Sequence, residues 1–221
     1  MKQELPAVLL QCLLLQVSTQ FATASSKQTM PEIRITNETI LSDEHYILKR
    51  YDFETKNKKG EWTPQQREIF DHGNSATVLL YNPVEKTIIL TKQFRMASYV
   101  NENPSGMLVE TPAGMLEDGE EPEITMLREI KEETGYEVES VQKIYEAYSS
   151  AGAFTELIHF YVAPYRKEQK VERGGGLEEE GEEIKVLEMP FAEALRMLEG
   201  GEIKDLKTIT LLHYAQVKGL L

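Results

Sequence analysis

GMLEDGEEPEITMLREIKEETGY, residues 114–136, is the stretch on which the reading of this 221-residue chain turns. Gly119 and Pro122 mark a turn and then a helix start, with proline in the first helical turn, where its missing N–H is not needed. Glu120, Glu121 and Glu123 stand near the positive end of the helix dipole. The pattern predicts a helix from Glu123 to Thr134, stopped by Gly135 at the position that favours a left-handed backbone. At about 100° per residue, Ile124, Leu127, Ile130 and Thr134 share a broad apolar arc, while Glu129, Glu132 and Glu133 crowd together on another. Carboxylates at these spacings weaken a helix by about a few tenths of a kcal/mol per pair, and Arg128, four residues before Glu132, relieves only part of that repulsion. A hard divalent cation such as Mg²⁺ would neutralise the rest, because it binds through a few carboxylates together with phosphate oxygens.

A bare E-x-x-E-E also describes an ordinary solvated helix face. The whole string, however, obeys G-x5-E-x7-R-E-U-x-E-E-x-G-U, with U apolar or aromatic, through Gly114, Glu120, Arg128, Glu129, Ile130, Glu132, Glu133, Gly135 and Tyr136. Its fixed identities, at ordinary residue frequencies, make a chance match rarer than about one in 10⁵.

Composition narrows the partners. The net charge of −13 argues against a nucleic-acid backbone, so a phosphorylated ligand must be held by metal ions or a few placed cations. Cys12 is the only cysteine, which excludes an intramolecular disulfide and a cysteine-ligated metal and leaves oxygen ligation. Residues 1–29 differ from the rest. Their apolar run, residues 5–17, is too short to span a bilayer, and no stable membrane association is expected. The segment reads as a dispensable extension before a start at Met30, with a secretory signal, on account of Ala22-Thr23-Ala24, or an interaction helix as the alternatives. The expected location is cytoplasmic, or secreted or periplasmic if residues 1–24 are a true signal.

From residue 31 onward, alternating and apolar runs predict strands at 32–40, 45–53, 63–71, 76–81, 87–90, 107–111, 141–148, 157–163 and 184–187, with a hairpin at 56–60. Helices are expected at 190–199 and 205–217. Residues 166–183 read as a polar loop in which Gly174-Gly175-Gly176 precedes a run of glutamates, the signature of a solvated acidic segment. The pattern is α/β: a mixed β-sheet with helices on its faces, in two or three layers. The expected division is 1–29 as the extension, 30–75 as an N-terminal β region making a dimer contact, and 76–221 as the catalytic domain.

On the box motif and on further residues, the chain resembles the Nudix hydrolases. Arg67-Glu68 before Asp71, Gly73 and Asn74, then Gln93-Phe94-Arg95, Thr155 to Phe160, the glycine-rich acidic loop and Gly201 to Thr208 are similar to the ADP-ribose pyrophosphatase group, nearest its GDP-mannose pyrophosphatase branch. The resemblance covers about residues 38–218. It implies an α/β/α sandwich that cleaves a nucleoside diphosphate linked to another moiety, GDP-mannose giving GMP and mannose 1-phosphate. The alternative is ADP-ribose or another nucleoside-diphosphate sugar. Two remoter readings are a catalytically silent nucleotide-sugar-binding module and a Ca²⁺-binding scaffold without substrate. A homodimer is implied, and Mg²⁺ as cofactor, with Mn²⁺ as the substitute. The implied metal ligands are the carbonyl of Ala113 and the carboxylates of Glu129, Glu133 and Glu182. Glu133 and Glu182 are the catalytic pair, Glu182 as the base, with Glu180 and Glu183 the alternatives to it in the same loop. Substrate contacts carry over to Arg67, Glu68, Arg95, Glu156 and Lys207, with His45 from the N-terminal region. Where ADP-ribose enzymes carry a proline about fifteen residues past the box, this chain has Ser150-Ala151-Gly152.

Overall fold

The computed structural model describes residues 31–221 except Glu178 and Glu180, so the expectations for residues 1–29 and Met30 lie outside the described residues. The described residues fall into two compact units, one containing 31–37 and 52–66, the other 38–51 and 67–221. The strands β1 (Ile33–Asp43), β2 (Ile47–Lys56) and β3 (Trp62–Asp71) form a three-stranded sheet in that order and supply residues to both units. In the first unit the 56–60 hairpin is closed by Asn57, whose Oδ1 accepts the N–H groups of Lys59 and Glu61 at 2.9 and 3.1 Å. Arg34 stacks on Trp62 there, 3.7 Å from the ring centroid.

The second unit is built on β4 (Ser75–Asn82), whose first six residues are all buried. A strand with no polar alternation must be covered on both faces, and this one is. β5 (Thr87–Phe94) returns antiparallel to it, and β9 (Leu157–Pro164) runs parallel to it in the register Ser75↔Ile158 to Tyr81↔Pro164. With β8 (Gln142–Tyr148) beside β9 and β10 (Lys185–Pro190) beside β5, the order is β10-β5-β4-β9-β8. Short strands β6 (Met107–Glu110) and β7 (Ala113–Met115) add to β5 and β4. The helices are α1 (Met96–Val100), α2 (Pro122–Glu129, continued by a π turn at Ile130–Thr134), α3 (Phe191–Glu199) and α4 (Leu206–Lys218).

Strand parity assigns the two cores. Leu79, Ile88, Leu90 and Val162 pack with Phe191, Ala194, Leu211 and Leu212 of α3 and α4. Val78, Leu80, Ile89 and Tyr161 pack with Met126 and Ile130 of α2. The unit is therefore a three-layer α/β/α sandwich with a mixed sheet. Among the described residues no helix is long and apolar enough to cross a membrane.

Two details of the central helix differ from the sequence expectation. Its last turn is a π turn, and its buried set is Thr125, Met126, Ile130, Glu133 and Thr134, whereas Ile124 is 57% exposed. Glu133 lies on the face of Met126 and Ile130, and its side chain is buried with theirs. Such single π turns recur at functional sites.

Candidate active site

The acidic side of the site is set by β7 and α2. Gly114, paired with Ala76 of β4, has no room for a Cβ, which would collide with the Glu129 carboxylate lying against it. Ala113 N–H donates to Glu133 Oε2 at 3.3 Å. Arg128 does more than relieve Glu132. Its guanidinium sits 2.9 Å from both Glu129 and Glu132 and 3.6 Å from Glu120. Burial works against its charge, but these carboxylates outweigh it and hold its pKa above the ordinary value.

Glu133 is 1% exposed. Burial first, then the neighbouring carboxylates Glu129 and Glu182, push its pKa well above 4.5. Glu129 is raised to about 7, again by burial first; Glu132 and Glu182 add to the rise and Arg128 opposes it. Two inward-facing carboxylates whose charge the protein itself disfavours are a donor set suited to a divalent cation, which removes both the desolvation and the repulsion. Among the described residues no three His, Cys, Asp or Glu side chains gather closely enough to hold a metal ion by themselves. A carbonyl such as that of Ala113 and oxygens from a ligand would complete the set, which fits an ion that keeps exchangeable positions for phosphate.

The end of this helix is capped by the glycine run. Gly175 N–H donates to the Glu133 carbonyl at 2.9 Å and Gly176 N–H to that of Glu132 at 3.1 Å. Gly174, at φ +70°, packs so closely on Thr134 and Gly135 that a Cβ would strike their backbone. These glycines are thus explained by close backbone approach. Beyond them Glu182 folds back, its Oε2 accepting the Leu177 N–H at 3.1 Å.

Opposing the carboxylates are two cations with anchored heads. Arg95 makes a forked contact to Glu110, Nε to Oε1 at 3.1 Å and Nη2 to Oε2 at 2.7 Å, and Glu110 is 2% exposed. Lys207 Nζ donates to Asp205 Oδ1 at 2.7 Å, while Asp205 Oδ2 caps α4 by accepting from Thr208 N and Oγ1. Thr208 Oγ1 in turn accepts the Thr111 N–H at 2.7 Å, so the start of α4 is tied to the end of β6.

A cavity of about 570 Å³ brings these parts together. Of the residues inferred from sequence, Arg95, Ala113, Glu129, Glu156, Glu182 and Lys207 line it. Glu133 does not line it, but its carboxylate accepts the N–H of Ala113, which does. His45 does not line it; its ring lies against Tyr46 at 4.3 Å. Arg67 and Glu68 are exposed on β3 and also do not line it.

Sequence reasoning missed an aromatic end to the cavity. Tyr46, Phe70, His72 and Phe154 form a cluster of edge and tilted contacts, with centroids 5.4 Å apart for Tyr46–His72 and Phe70–Phe154 and 5.5 Å for Tyr46–Phe70. Beside them Glu156 accepts from Ser75 Oγ at 2.5 Å and lies 3.7 Å from His72 Nε2. No local motif announces this group, since Phe70 and Phe154 meet only through a long-range parallel bridge.

The NUDIX domain family matches residues 71–212, and the family described as GDP-mannose pyrophosphatase NudK N-terminal domain matches 32–70. The chain is 47% identical over 190 residues to the GDP-mannose pyrophosphatase of Escherichia coli O1:K1 / APEC, covering 86% of this chain and 98% of that protein. It matches the GDP-mannose pyrophosphatase of Shigella dysenteriae serotype 1 (strain Sd197) to the same extent. A crystal structure of an ADP compounds hydrolase superposes with a TM-score of 0.64 over 88% of this chain and 100% of that one; at 16% identity this likeness concerns the fold.

Proposed function

Because the chain belongs to the Nudix hydrolases, a family that generally uses divalent metal ions, we propose that it hydrolyses the diphosphate of a nucleotide sugar, converting GDP-mannose to GMP and mannose 1-phosphate with Mg²⁺. The observation that carries this is one cavity lined by Glu129, Glu156 and Glu182, by two anchored cations and by an aromatic end. The identity of 47% to GDP-mannose pyrophosphatases along nearly their whole length supports the choice of substrate.

A diphosphate resists attack because its own charge repels the nucleophile, so catalysis consists of positioning and charge neutralisation. Bound Mg²⁺ supplies that neutralisation and lowers the pKa of water at the site. Glu129, Glu133 and the Ala113 carbonyl would hold it, with Glu182 as a further ligand or as the base. Arg95 and Lys207 face the phosphate oxygens, and their carboxylate partners Glu110 and Asp205 fix their orientation before substrate arrives. Where Glu182 is not itself a ligand, it would take the proton from the attacking water, because the lone pairs of Glu129 and Glu133 would be committed to metal. The rings of Tyr46, Phe70 and Phe154 offer a planar base or a sugar an apolar surface that excludes water.

Mn²⁺ is the substitute ion, and the working form is a homodimer in which association covers the edges of the N-terminal strands. Arg67, Glu68 and His45, which lie off the cavity of the single chain, retain a substrate role only through that association. The test is turnover on a panel of GDP-mannose, ADP-ribose and other nucleoside-diphosphate sugars, with and without Mg²⁺ or Mn²⁺, read by phosphatase-coupled phosphate release. GDP-mannose should give the highest kcat/KM. A higher value for ADP-ribose overturns the substrate assignment, and turnover undiminished by chelator overturns the metal assignment.

A further inference from the structure

The second unit holds another cavity, of about 660 Å³, with a lining of opposite character. Lys92, Lys170, Arg173 and Lys185 face it against one carboxylate, Glu183, in a chain whose net charge is −13. Lys92 of β5 and Lys185 of β10 stand directly opposite each other, an arrangement in which like charges destabilise a strand pair. Among the described residues neither of them, nor Arg173, makes a side-chain hydrogen bond or ion pair. Lys170 lies over the Tyr136 ring, 5.3 Å from its centroid. The fold thus tolerates a concentration of positive charge that an anion would relieve. Next to the cations is an apolar floor made by Phe94, 51% exposed, and Met107, its partner across β5 and β6.

We propose that this groove is a second binding site, separate from the hydrolytic cavity, for a free nucleotide: its phosphates on Lys92, Arg173 and Lys185, its base on Phe94. Phosphate oxygens accept short charge-assisted hydrogen bonds from such cations, and an exposed aromatic ring stacks on any base. The site is placed to act on turnover. Its wall is formed by Arg173 and Gly174 at one stem of the acidic loop and by Glu183, Ile184 and Lys185 at the other. The Ile184 N–H joins the stems by donating to the Gly175 carbonyl at 3.0 Å, and Gly175 N–H donates to the Glu133 carbonyl at 2.9 Å. A ligand gripping both stems shifts Glu182 and so changes kcat without competing with substrate. That consequence rests on the reading of Glu182 as base; the binding does not.

The experiment is calorimetric titration of the full chain in EDTA with GDP and with inorganic pyrophosphate. One site per chain is expected, weakened by added salt and unaffected by Glu133→Gln. Arg173→Ala should weaken pyrophosphate by about tenfold, the share of one charge-assisted hydrogen bond, and Lys92→Ala with Lys185→Ala by more. GDP should bind tighter than pyrophosphate, and Phe94→Ala should abolish the difference. Arg173→Ala should keep basal turnover while losing the response of kcat to added GDP. The site is refuted if neither probe binds at millimolar concentration, if the Arg173 and lysine variants bind as the wild type does, or if Glu133→Gln abolishes binding. Normal binding with an unresponsive kcat refutes the coupling. Failure of the hydrolytic reading would appear separately, as a wild-type chain without turnover.

Discussion

Removing divalent ions should make the stability of this chain fall as pH rises, the reverse of what paired surface carboxylates produce. Glu129 titrates near 7 in the fold against 4.5 ordinarily, and its side chain is only 12% exposed. Below pH 4.5 the folded and unfolded chains are both protonated there, and the stability is fully present. Between 4.5 and 7 the unfolded chain releases the proton while the folded chain keeps it, so stability drops until the folded group also ionises. The loss is about 3 kcal/mol, a large share of the roughly 5–15 kcal/mol that holds a domain. Glu133, raised in the same direction, adds to it. His159, whose pKa burial lowers from 6.5, opposes the trend by favouring the fold as pH rises, so the useful quantity is the difference between wild type and Glu129→Gln. Urea denaturation in EDTA from pH 4.5 to 8 should show the wild type losing about 3 kcal/mol more than the variant, and millimolar Mg²⁺ should flatten the difference. A wild-type loss over that interval no greater than that of Glu129→Gln would refute the electrostatic account of the site.

Glu133→Gln should keep the fold, since it removes a disfavoured buried charge, yet lower kcat by at least about a hundredfold; near-normal activity at saturating Mg²⁺ would contradict this. Glu182→Gln should lower kcat strongly with little change in KM, whereas Glu179→Gln should change neither, as steady-state kinetics will show. Glu110→Gln should loosen the Arg95 fork and reduce kcat/KM by about ten- to a hundredfold, the share of a charged hydrogen bond, with a circular dichroism spectrum like that of wild type. Light scattering at micromolar concentration should return a dimer mass, and a monomer would remove the proposed role of Arg67, Glu68 and His45.

Where chemistry and backbone geometry coincide within one stretch, the sequence was readable. Pro122, Gly135 and the glutamates between them announced the helix, its stop and its acidic face because each signal acts over one or two turns. The apolar runs of β4 and β5 gave the sheet core for the same reason. Strand order was not legible, since β9 pairs with β4 across more than seventy residues and no local signal marks its partner. The buried arc of α2 was drawn too wide: at about 100° per residue Ile124 stands well away from Ile130, at the margin of the apolar face, and it is 57% exposed. The aromatic end escaped notice because Tyr46, Phe70, His72 and Phe154 come from separate segments. Glu110 and Asp205 were passed over because their importance lies in what they hold, Arg95 and Lys207, and a supporting carboxylate looks like any other until its partner is seen.

The central claim, that these carboxylates direct cleavage at the diphosphate, is tested most directly by ³¹P NMR of GDP-mannose incubated with the wild-type chain and Mg²⁺, beside the Glu133→Gln variant. The account predicts resonances of GMP and mannose 1-phosphate growing in equal amounts for the wild type and almost absent for the variant. GDP as the phosphorus-bearing product, signifying cleavage at the sugar, or equal rates for the two proteins, would contradict it.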